Sequence, residues 1–296
     1  NPKTEKNHEF VRNAAALHAV GLLAPEVRAV DYEQGLLAVS DLGDTQLIGC
    51  LNDGNVLAWY GKAIGLLPRL GAVGLALEPF DEAFMARENA IFPEWLLGHH
   101  LNLSLDETEQ QLLDEMFACL TENNLAQPQG VMHRDFHSRN LMVCGGNTPD
   151  DSRLAVIDFQ DMVMGPLSYD LVSLLKDCYV RWPDAVIEQG MGHGFDTLSQ
   201  AGLLGDLDYA AFRRYADLTG MQRHLKAAGL FTRLYHRDGK SGYLKDIPRT
   251  LGYVVDVCHQ HGAEHPVLAR FGDWLQRIVL PGLARAAEAR RAGEPS

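Results

Sequence analysis

The sequence predicts an α+β fold with two lobes, a small lobe of antiparallel strands and a larger, mainly helical lobe. Two short apolar runs at 27–30 and 36–40 flank the turn sequence YEQG at 32–35, a pattern typical of a β-hairpin. From Asn55 onward, most apolar residues recur at helical spacing. Between 131 and 161 the pattern changes to short apolar strands joined by polar loops. We therefore expect strands first, helices afterwards, and one strand-rich insertion within the helical part.

Apolar stripes predict the individual helices. Phe10, Ala14 and Leu17 repeat at helical spacing, so the chain is expected to open with a helix. Asp106 is the expected N-cap of a later helix that contains residues 112–120. Further stripes of the same spacing predict helices near residues 56–67, 169–180, 209–225, 244–259 and 267–287. These stripes are expected to face the protein core.

Composition and charge exclude several classes of protein. An apolar fraction of 46% with 22% charged residues is typical of a globular chain. No apolar run approaches the roughly 20 residues of a membrane span, and the first residues lack the apolar core of a signal peptide. A net charge of −13 argues against nucleic-acid binding. The five cysteines include no C-x-x-C pair, so we expect reduced thiols in a cytoplasmic protein with no membrane partner.

The central motif lies between His133 and Asn140, where HRDFHSRN matches the H-R-D-x-x-x-x-N loop of phosphoryl-transfer enzymes. Asp135 is the expected base that orients and deprotonates an acceptor hydroxyl. Asn140, together with Asp158 after the apolar run 154–157, supplies the oxygen ligands that Mg²⁺ prefers. In this pattern His133 is expected to brace the loop. The motif predicts ATP-dependent phosphorylation of a small molecule.

One alternative assigns the same loop to a metallohydrolase. His133, Asp135 and His137 alternate along the chain, so three potential metal ligands could share one face of an extended segment. That alternative gives no role to Asn140 or Asp158, and the sequence contains no second His/Asp cluster of similar density. We therefore favour the phosphoryl-transfer interpretation.

A polar step follows the second predicted strand and is the expected hinge between the lobes. Backbone groups of Ser40, Asp41 and Leu42 are the candidates for hydrogen bonds to the adenine edge of ATP. A simple turn between a strand and a helix has the same composition. On this interpretation residues 1–43 form a partial small, nucleotide-binding lobe, and residues 44–296 form the large lobe with the catalytic loop and the substrate site.

One segment stands out from the acidic chain. Residues 221–250 hold seven Lys or Arg against two Asp, a balance that would attract an anionic ligand. Arg223 and Lys226 lie three apart, on one helical face, and are the first candidates for substrate contacts. His137 and Arg139 are candidates from within the catalytic loop. Any one of the basic residues could instead be solvated or paired with a nearby carboxylate.

The loop together with Ile157-Asp158-Phe159 resembles the aminoglycoside phosphotransferase-like family of small-molecule kinases. Gln160 stands where the protein-kinase D-F-G has its last Gly, and no A-P-E follows. GPLSYDL at 165–171 is similar to the family's downstream element, in which the Asp, here Asp170, starts a helix and ties it to the catalytic loop. The resemblance implies a two-lobed protein-kinase-like fold, ATP and Mg²⁺, and it makes Asp170 structural.

Within this family, the segments 133–142, 157–180 and 221–254 resemble a branch of bacterial amino-sugar kinases that act in cell-wall recycling. The branch implies transfer from ATP to the anomeric hydroxyl of N-acetylmuramate or N-acetylglucosamine, with the α-1-phosphate as product. The carboxylate of N-acetylmuramate fits the basic segment, since Arg can hold a carboxylate through two hydrogen bonds.

The resemblance leaves one expected part unassigned. No segment upstream of 27 supplies a Gly-rich phosphate loop or the lysine that contacts the ATP phosphates, so we expect the original N-terminus to be missing from this sequence. Two alternatives follow. One is a kinase of the same fold that phosphorylates another small alcohol, and the other is a nucleotide-binding pseudokinase without catalysis.

Overall fold

The computed structural model describes residues 6–293 and divides into two compact units. The first unit comprises Asn1–Phe80, Gln127–Asp177 and Trp182–Ala216. The second unit comprises Asp81–Ala126, Cys178–Arg181 and Asp217–Ser296. The lobe boundary predicted between residues 43 and 44 divides the chain differently and stays a prediction. No helix of residues 6–293 is both long and apolar enough to cross a membrane.

Helices make up most of the described chain. In chain order they are α1 (Asn7–Ala19), α2 (Val56–Ile64), α3 (Leu67–Gly71), α4 (Glu82–Asn89), α5 (Glu107–Ala126), α6 (Ser168–Leu175), α7 (Asp184–Gln200), α8 (Tyr209–Asp238), α9 (Ile247–His261), α10 (Pro266–Trp274) and α11 (Leu280–Gly293). Two π-helical segments (Phe92–His100 and Leu275–Val279) and two 3-10 segments (Leu47–Cys50 and Ser241–Asp246) complete the helical elements.

The six strands of the described chain form three separate antiparallel pairs, all in the first unit. They are β1 (Val27–Asp31), β2 (Leu36–Val39), β3 (Gln129–Met132), β4 (Leu141–Gly145), β5 (Ser152–Val156) and β6 (Val163–Pro166). β1 pairs with β2, β3 with β6, and β4 with β5. The β-hairpin predicted from the turn sequence YEQG is therefore confirmed.

Two of the predicted helices, α1 and α5, are confirmed, and α5 begins directly after its predicted N-cap. In α1, Ala14 and Leu17 are buried, as their spacing requires. Before α5, Asp106 and Glu109 form a capping box in which each side chain accepts the other's backbone N–H, at 2.8 and 3.1 Å. The stripe that follows in α5 is buried at Met116 and Leu120.

Close packing of α7 against α6 shapes the first unit. A Cβ at Gly190 would overlap the side chain of Leu175, and a Cβ at Gly194 would overlap that of Leu171. The two glycines are four residues apart on one face of α7, so the helices can approach where larger side chains would separate them. We did not predict α7 from the sequence, because its glycines lower helix propensity.

The second unit has its own apolar core. It is built mainly from α5, α8, α9 and α10 together with the first π-helical segment, and its fully buried members include Phe92, Met116, Met221, Leu251 and Phe271. Polar groups on α8 are also buried here, among them Asp217, which lies 3.0 Å from Nε2 of His261. Such groups need hydrogen-bond partners, because burial removes their water.

Candidate active site

Two strand pairs position the site residues in the first unit. The loop 133–140 connects β3 to β4, and Asp158 follows the end of β5. Pairing of β4 with β5 brings the last residue of this loop, Asn140, next to the residue before Asp158. The N–H of Ile157 donates to the C=O of Asn140 at 3.1 Å. The two predicted metal ligands, Asn140 and Asp158, therefore lie at the same end of the β4–β5 pair.

The predicted metal ligands are in direct contact. The side-chain amide of Asn140 donates to Oδ2 of Asp158 at 3.3 Å and to the backbone C=O of Asp135 at 3.0 Å. The amide of Gln160 donates to Oδ1 of Asp158 at 2.8 Å. Asp158 is exposed and has a φ of 65°, a left-handed conformation that is unusual for a residue other than glycine. The free amide oxygen of Asn140 and the Asp158 carboxylate form a donor set that fits Mg²⁺.

His133 supports the backbone next to the predicted base. Its Nε2 lies 2.9 Å from the C=O of Ile157, and its Nδ1 lies 3.3 Å from the N–H of Asp135. The two partners require a neutral ring with the proton on Nε2. Burial lowers the pKa of His133 to about 4, although the charges of Asp135 and Asp158 raise it. His133 is therefore neutral near pH 7.

Asp170 holds the start of the same loop. It lies in the first turn of α6, where its carboxylate accepts the N–H of His133 at 2.6 Å and the N–H of Arg134 at 3.0 Å. Arg134 has a φ of 76°, again left-handed for a residue with a side chain. Bonds to a carboxylate are stronger than neutral ones, so they can offset the cost of this backbone conformation.

Asp177 holds the middle of the loop and was missed by sequence reasoning. Its Oδ2 accepts the Oγ–H of Ser138 at 2.6 Å and the N–H of Ser138 at 3.4 Å. The C=O of Ser138 accepts the N–H of Ile48 at 3.0 Å. No motif in the sequence marks Asp177, which lies two residues beyond the end of α6.

The two candidate substrate residues of the loop lie between these fixed points. His137 is buried, its N–H donates to the C=O of Asp135 at 3.0 Å, and its C=O accepts the N–H of Asn140 at 2.9 Å. Arg139 is partly exposed. The structure thus brings His137 and Arg139 into one short loop with Asp135 and Asn140.

The other two candidates belong to the second unit and are largely buried there. Nζ of Lys226 lies 3.0 Å from Oε1 of Glu88, and both side chains are mostly inaccessible to solvent. Arg223 donates to the sulfur of Cys178 at 3.5 Å. The sequence predicted that Arg223 and Lys226 share a helical face, and both lie on α8. Their predicted role in substrate binding stays a prediction.

The predicted hinge has well-defined contacts. Ser40 and Glu26 exchange two hydrogen bonds of 2.9 Å, one to the Ser40 hydroxyl and one to the Glu26 C=O. Asp41 accepts the N–H of Gly43 at 2.8 Å, and the C=O of Leu42 lies 3.5 Å from the thiol of Cys144. Adenine binding by this segment stays a prediction.

A cavity of about 320 Å³ has the side-chain partner of Asp158 in its wall. Gln160, which donates to Asp158, contributes to its wall. The remaining wall comes from α1 and β2 and from the residue before α1, namely Lys6, Asn7, Phe10, Leu37 and Val39. α1 is tied to the same segment, because Asn13 donates to the C=O of Phe159 at 2.9 Å. The size and mixed polarity of the cavity are typical of small-molecule sites.

The metallohydrolase alternative has no geometric support. Within residues 6–293, no group of three or more His, Cys, Asp or Glu side chains could hold a metal ion. Both ring nitrogens of His133 also have backbone partners. The alternating pattern of His133, Asp135 and His137 is therefore no basis for a metal site of that kind.

Comparisons with known proteins agree with the predicted family. Residues 1–213 match the model described as "Phosphotransferase enzyme family". An N-acetylmuramate/N-acetylglucosamine kinase from Pseudomonas putida is 34% identical over 94% of this chain and 79% of its own length. The protein of that name from Pseudomonas aeruginosa is 34% identical over 97% of this chain and 81% of its own. A third, from Neisseria meningitidis, is 36% identical over 83% and 73%.

Solved structures agree with the predicted fold class. A Plasmodium vivax ethanolamine kinase superposes with a TM-score of 0.60, at 10% identity, over 86% of this chain and 72% of its own. An ADP-bound aminoglycoside phosphotransferase superposes with a TM-score of 0.53, at 14% identity, over 84% and 81%. The predicted α+β, protein-kinase-like fold is confirmed. With the match over residues 1–213 and relatives at 34–36% identity, the chain belongs to the phosphotransferase enzyme family.

Proposed function

We propose that this protein transfers the γ-phosphoryl group of ATP to the anomeric hydroxyl of N-acetylmuramate or N-acetylglucosamine. The observation that carries the choice of acceptor is the name shared by bacterial relatives at 34–36% identity over most of the chain. The hydrogen bond from the amide nitrogen of Asn140 to Oδ2 of Asp158 supports the transfer chemistry, because it places next to each other two side chains whose oxygens can bind Mg²⁺. The product would be the sugar 1-phosphate, with ADP released.

Asp135 is the proposed base. The acceptor oxygen forms a bond to the γ-phosphorus, the bond from that phosphorus to the bridging oxygen of ADP breaks, and the hydroxyl proton passes to the Asp135 carboxylate. Phosphoryl transfer depends mainly on alignment and charge neutralisation, so the position of this carboxylate matters more than its basicity. The network of His133, Asp170 and Asp177 fixes the backbone on both sides of it.

Asn140 and Asp158 are the proposed metal ligands. Mg²⁺, when bound there, would neutralise charge on the phosphate oxygens of the nucleotide. Gln160 holds one carboxylate oxygen of Asp158 and Asn140 contacts the other, so the carboxylate has a defined orientation before a cation arrives. For the nucleotide we propose the cavity beside Gln160, with adenine hydrogen-bonded to the backbone at residues 40–42.

The acceptor contacts are proposed in two groups. His137 and Arg139 lie in the catalytic loop within a few residues of Asp135, and this proximity supports a proposed contact with the sugar near the reacting hydroxyl. Arg223 and Lys226 would favour an acceptor with a carboxylate. For Lys226 this requires that an acidic sugar compete with Glu88, which already lies 3.0 Å from the ammonium.

The deciding experiment measures ADP release by the purified chain with ATP, Mg²⁺ and a panel of acceptors. The panel contains N-acetylmuramate, N-acetylglucosamine, choline and an aminoglycoside, and phosphorus NMR identifies the phosphorylated position. We expect release with the amino sugars and a signal from an anomeric phosphate. Release with choline or the aminoglycoside alone would contradict the acceptor and support a kinase for another alcohol. Nucleotide binding without release for any acceptor would support the pseudokinase alternative.

A further inference from the structure

We infer that Asp177 is a positioning residue that sets the geometry of the catalytic loop through Ser138. The inference rests on the proposed function for its kinetic consequences, and on geometry alone for its structural ones. Asp177 lies two residues beyond the end of α6 and is fully buried. A buried carboxylate needs strong donors, and the Oγ–H of Ser138 at 2.6 Å is such a donor.

Ser138 is held on three sides. Its hydroxyl and its N–H both point to Oδ2 of Asp177, and its C=O accepts the N–H of Ile48. The side chain is fully buried, so water does not compete for these bonds. A residue with all three groups bound in this way can move only if its partners move.

The position of Ser138 in the loop makes this anchor important for chemistry. Asp135 lies three residues before it and Asn140 lies two residues after it. Turn hydrogen bonds run from the N–H of His137 to the C=O of Asp135, and from the N–H of Asn140 to the C=O of His137. A shift of Ser138 is therefore transmitted in both directions, to the proposed base and to a proposed metal ligand.

Asp170 and Asp177 hold different parts of the catalytic loop. Asp170 fixes the N–H groups of His133 and Arg134, at the start of the loop, and Asp177 fixes its middle. The two carboxylates lie seven residues apart, one in the first turn of α6 and one two residues beyond its end. Weakening of the second anchor should leave the first in place, so the loop should loosen around Asp135 without losing its attachment to α6.

The test uses Ser138→Ala, Asp177→Asn and the double variant, with Ser173→Ala as the matched control. Ser173 is also fully buried, lies on α6, and its hydroxyl has no hydrogen-bond partner among residues 6–293. Ser173→Ala thus removes a hydroxyl that is as buried as that of Ser138, but it breaks no contact with the catalytic loop. Each variant is compared with wild type for kcat, for the KM values of ATP and acceptor, and for amide hydrogen exchange over 133–140.

We expect Ser138→Ala to lower kcat by about tenfold or more, since a hydrogen bond to a charged group corresponds to roughly one to two powers of ten. The KM for ATP should stay within about twofold of wild type, because the anchor does not touch the nucleotide cavity. Asp177→Asn should act in the same direction. The double variant should be little worse than the worse single variant, because both remove one interaction.

Hydrogen exchange separates failure of this inference from failure of the proposed function. Faster exchange over 133–140 in Ser138→Ala, but not in Ser173→Ala, supports the anchor whichever acceptor the enzyme uses, and also if no acceptor is found. The inference is overturned if exchange and kcat in Ser138→Ala both match wild type. It is also overturned if Ser173→Ala shows the same losses, because the effect would then be general destabilisation.

Discussion

The side-chain amide of Asn140 lies 3.3 Å from Oδ2 of Asp158, although 18 residues separate them in the chain. The contact depends on the antiparallel pairing of β4 with β5, which closes the intervening segment into a hairpin. Two residues from separate segments of the motif are brought together in one oxygen-rich site by this pairing. The same site predicts how several substitutions should behave.

Replacement of the proposed base should remove activity without removing the nucleotide. Asp135→Asn keeps the shape of the side chain but cannot accept the acceptor proton, so we expect kcat to fall by about 100-fold or more. ADP binding, measured by calorimetry, should remain within about threefold of wild type. Asp150→Asn, in the exposed turn between β4 and β5, is the control and should have wild-type turnover. Wild-type turnover in Asp135→Asn would defeat the assignment of the base.

Gln160 should tune the response to Mg²⁺. Its amide orients Oδ1 of Asp158, so Gln160→Ala should raise the Mg²⁺ concentration for half-maximal activity by about threefold to tenfold. A magnesium titration at fixed ATP measures the change. Gln110→Ala is the matched control, because Gln110 makes a similar 2.9 Å bond to Asp114 on α5. Equal magnesium requirements in wild type and Gln160→Ala would contradict this prediction.

The buried imidazole of His133 predicts how stability depends on pH. Its pKa is about 4 in the folded protein, because burial disfavours the charged ring, and about 6.5 in the unfolded chain. Between these values the unfolded chain binds a proton that the folded protein does not. The free energy of unfolding should therefore fall as the pH is lowered from 6.5 towards 4.

Urea unfolding at pH 4.5, 5.5 and 6.5 measures that slope. His100, whose pKa is also about 4, contributes with the same sign, because burial and the nearby charges of His236 and Arg290 disfavour its protonation. His133→Asn and His100→Asn should each reduce the slope. A slope that neither substitution changes would show that other groups take up the proton.

The pair of Lys226 and Glu88 should contribute to stability. Lys226→Met leaves the Glu88 carboxylate buried without its ammonium, and we expect a loss of about 3 kcal/mol in the free energy of unfolding. The double variant Lys226→Met/Glu88→Gln should recover part of this loss. Lys240→Met, at an exposed position, is the control. If Lys226→Met leaves the free energy of unfolding unchanged and raises only the KM for N-acetylmuramate, the result would instead assign Lys226 to acceptor binding.

Alanine substitutions at two glycines of α7 should have different effects on the stability of the protein. Gly194→Ala forces a methyl group into the side chain of Leu171, so we expect a loss of about 1–3 kcal/mol in the free energy of unfolding. Gly192→Ala, on the same helix, meets no atom within 4 Å and should be neutral or stabilising by up to about 1 kcal/mol. Thermal unfolding of both variants measures the difference. Equal effects would contradict the close contact between α6 and α7.

Local patterns predicted much of the fold. The β1–β2 hairpin, the cap at Asp106 and the stripe in α1 follow from spacing and turn chemistry, which act over a few residues. α7 was not predicted, because its three glycines disfavour helix formation in isolation, although two of them, Gly190 and Gly194, suit packing against α6. The two π-helical segments also lack a local signal.

The candidate site was predictable where a motif names the residue. Asp135, Asn140 and Asp158 stand at motif positions, and the structure brings Asn140 and Asp158 into contact. Asp177 has no motif, because its role arises from the distance across the fold to Ser138. From the sequence, Gln160 could be noted only because it replaces the last glycine of the protein-kinase D-F-G. Its hydrogen bond to Asp158 became visible only in the structure.

Arg134 and Asp158 adopt left-handed backbone angles that an isolated chain would rarely visit. Carboxylate, imidazole and amide partners hold the adjoining segments, and two of these partners, the carboxylates of Asp170 and Asp177, lie outside residues 131–161. A synthetic peptide that contained only residues 131–161 should therefore not adopt the shape of the site. The geometry of the catalytic loop is a property of the assembled first unit, and the motif that identifies the loop does not fix that geometry by itself.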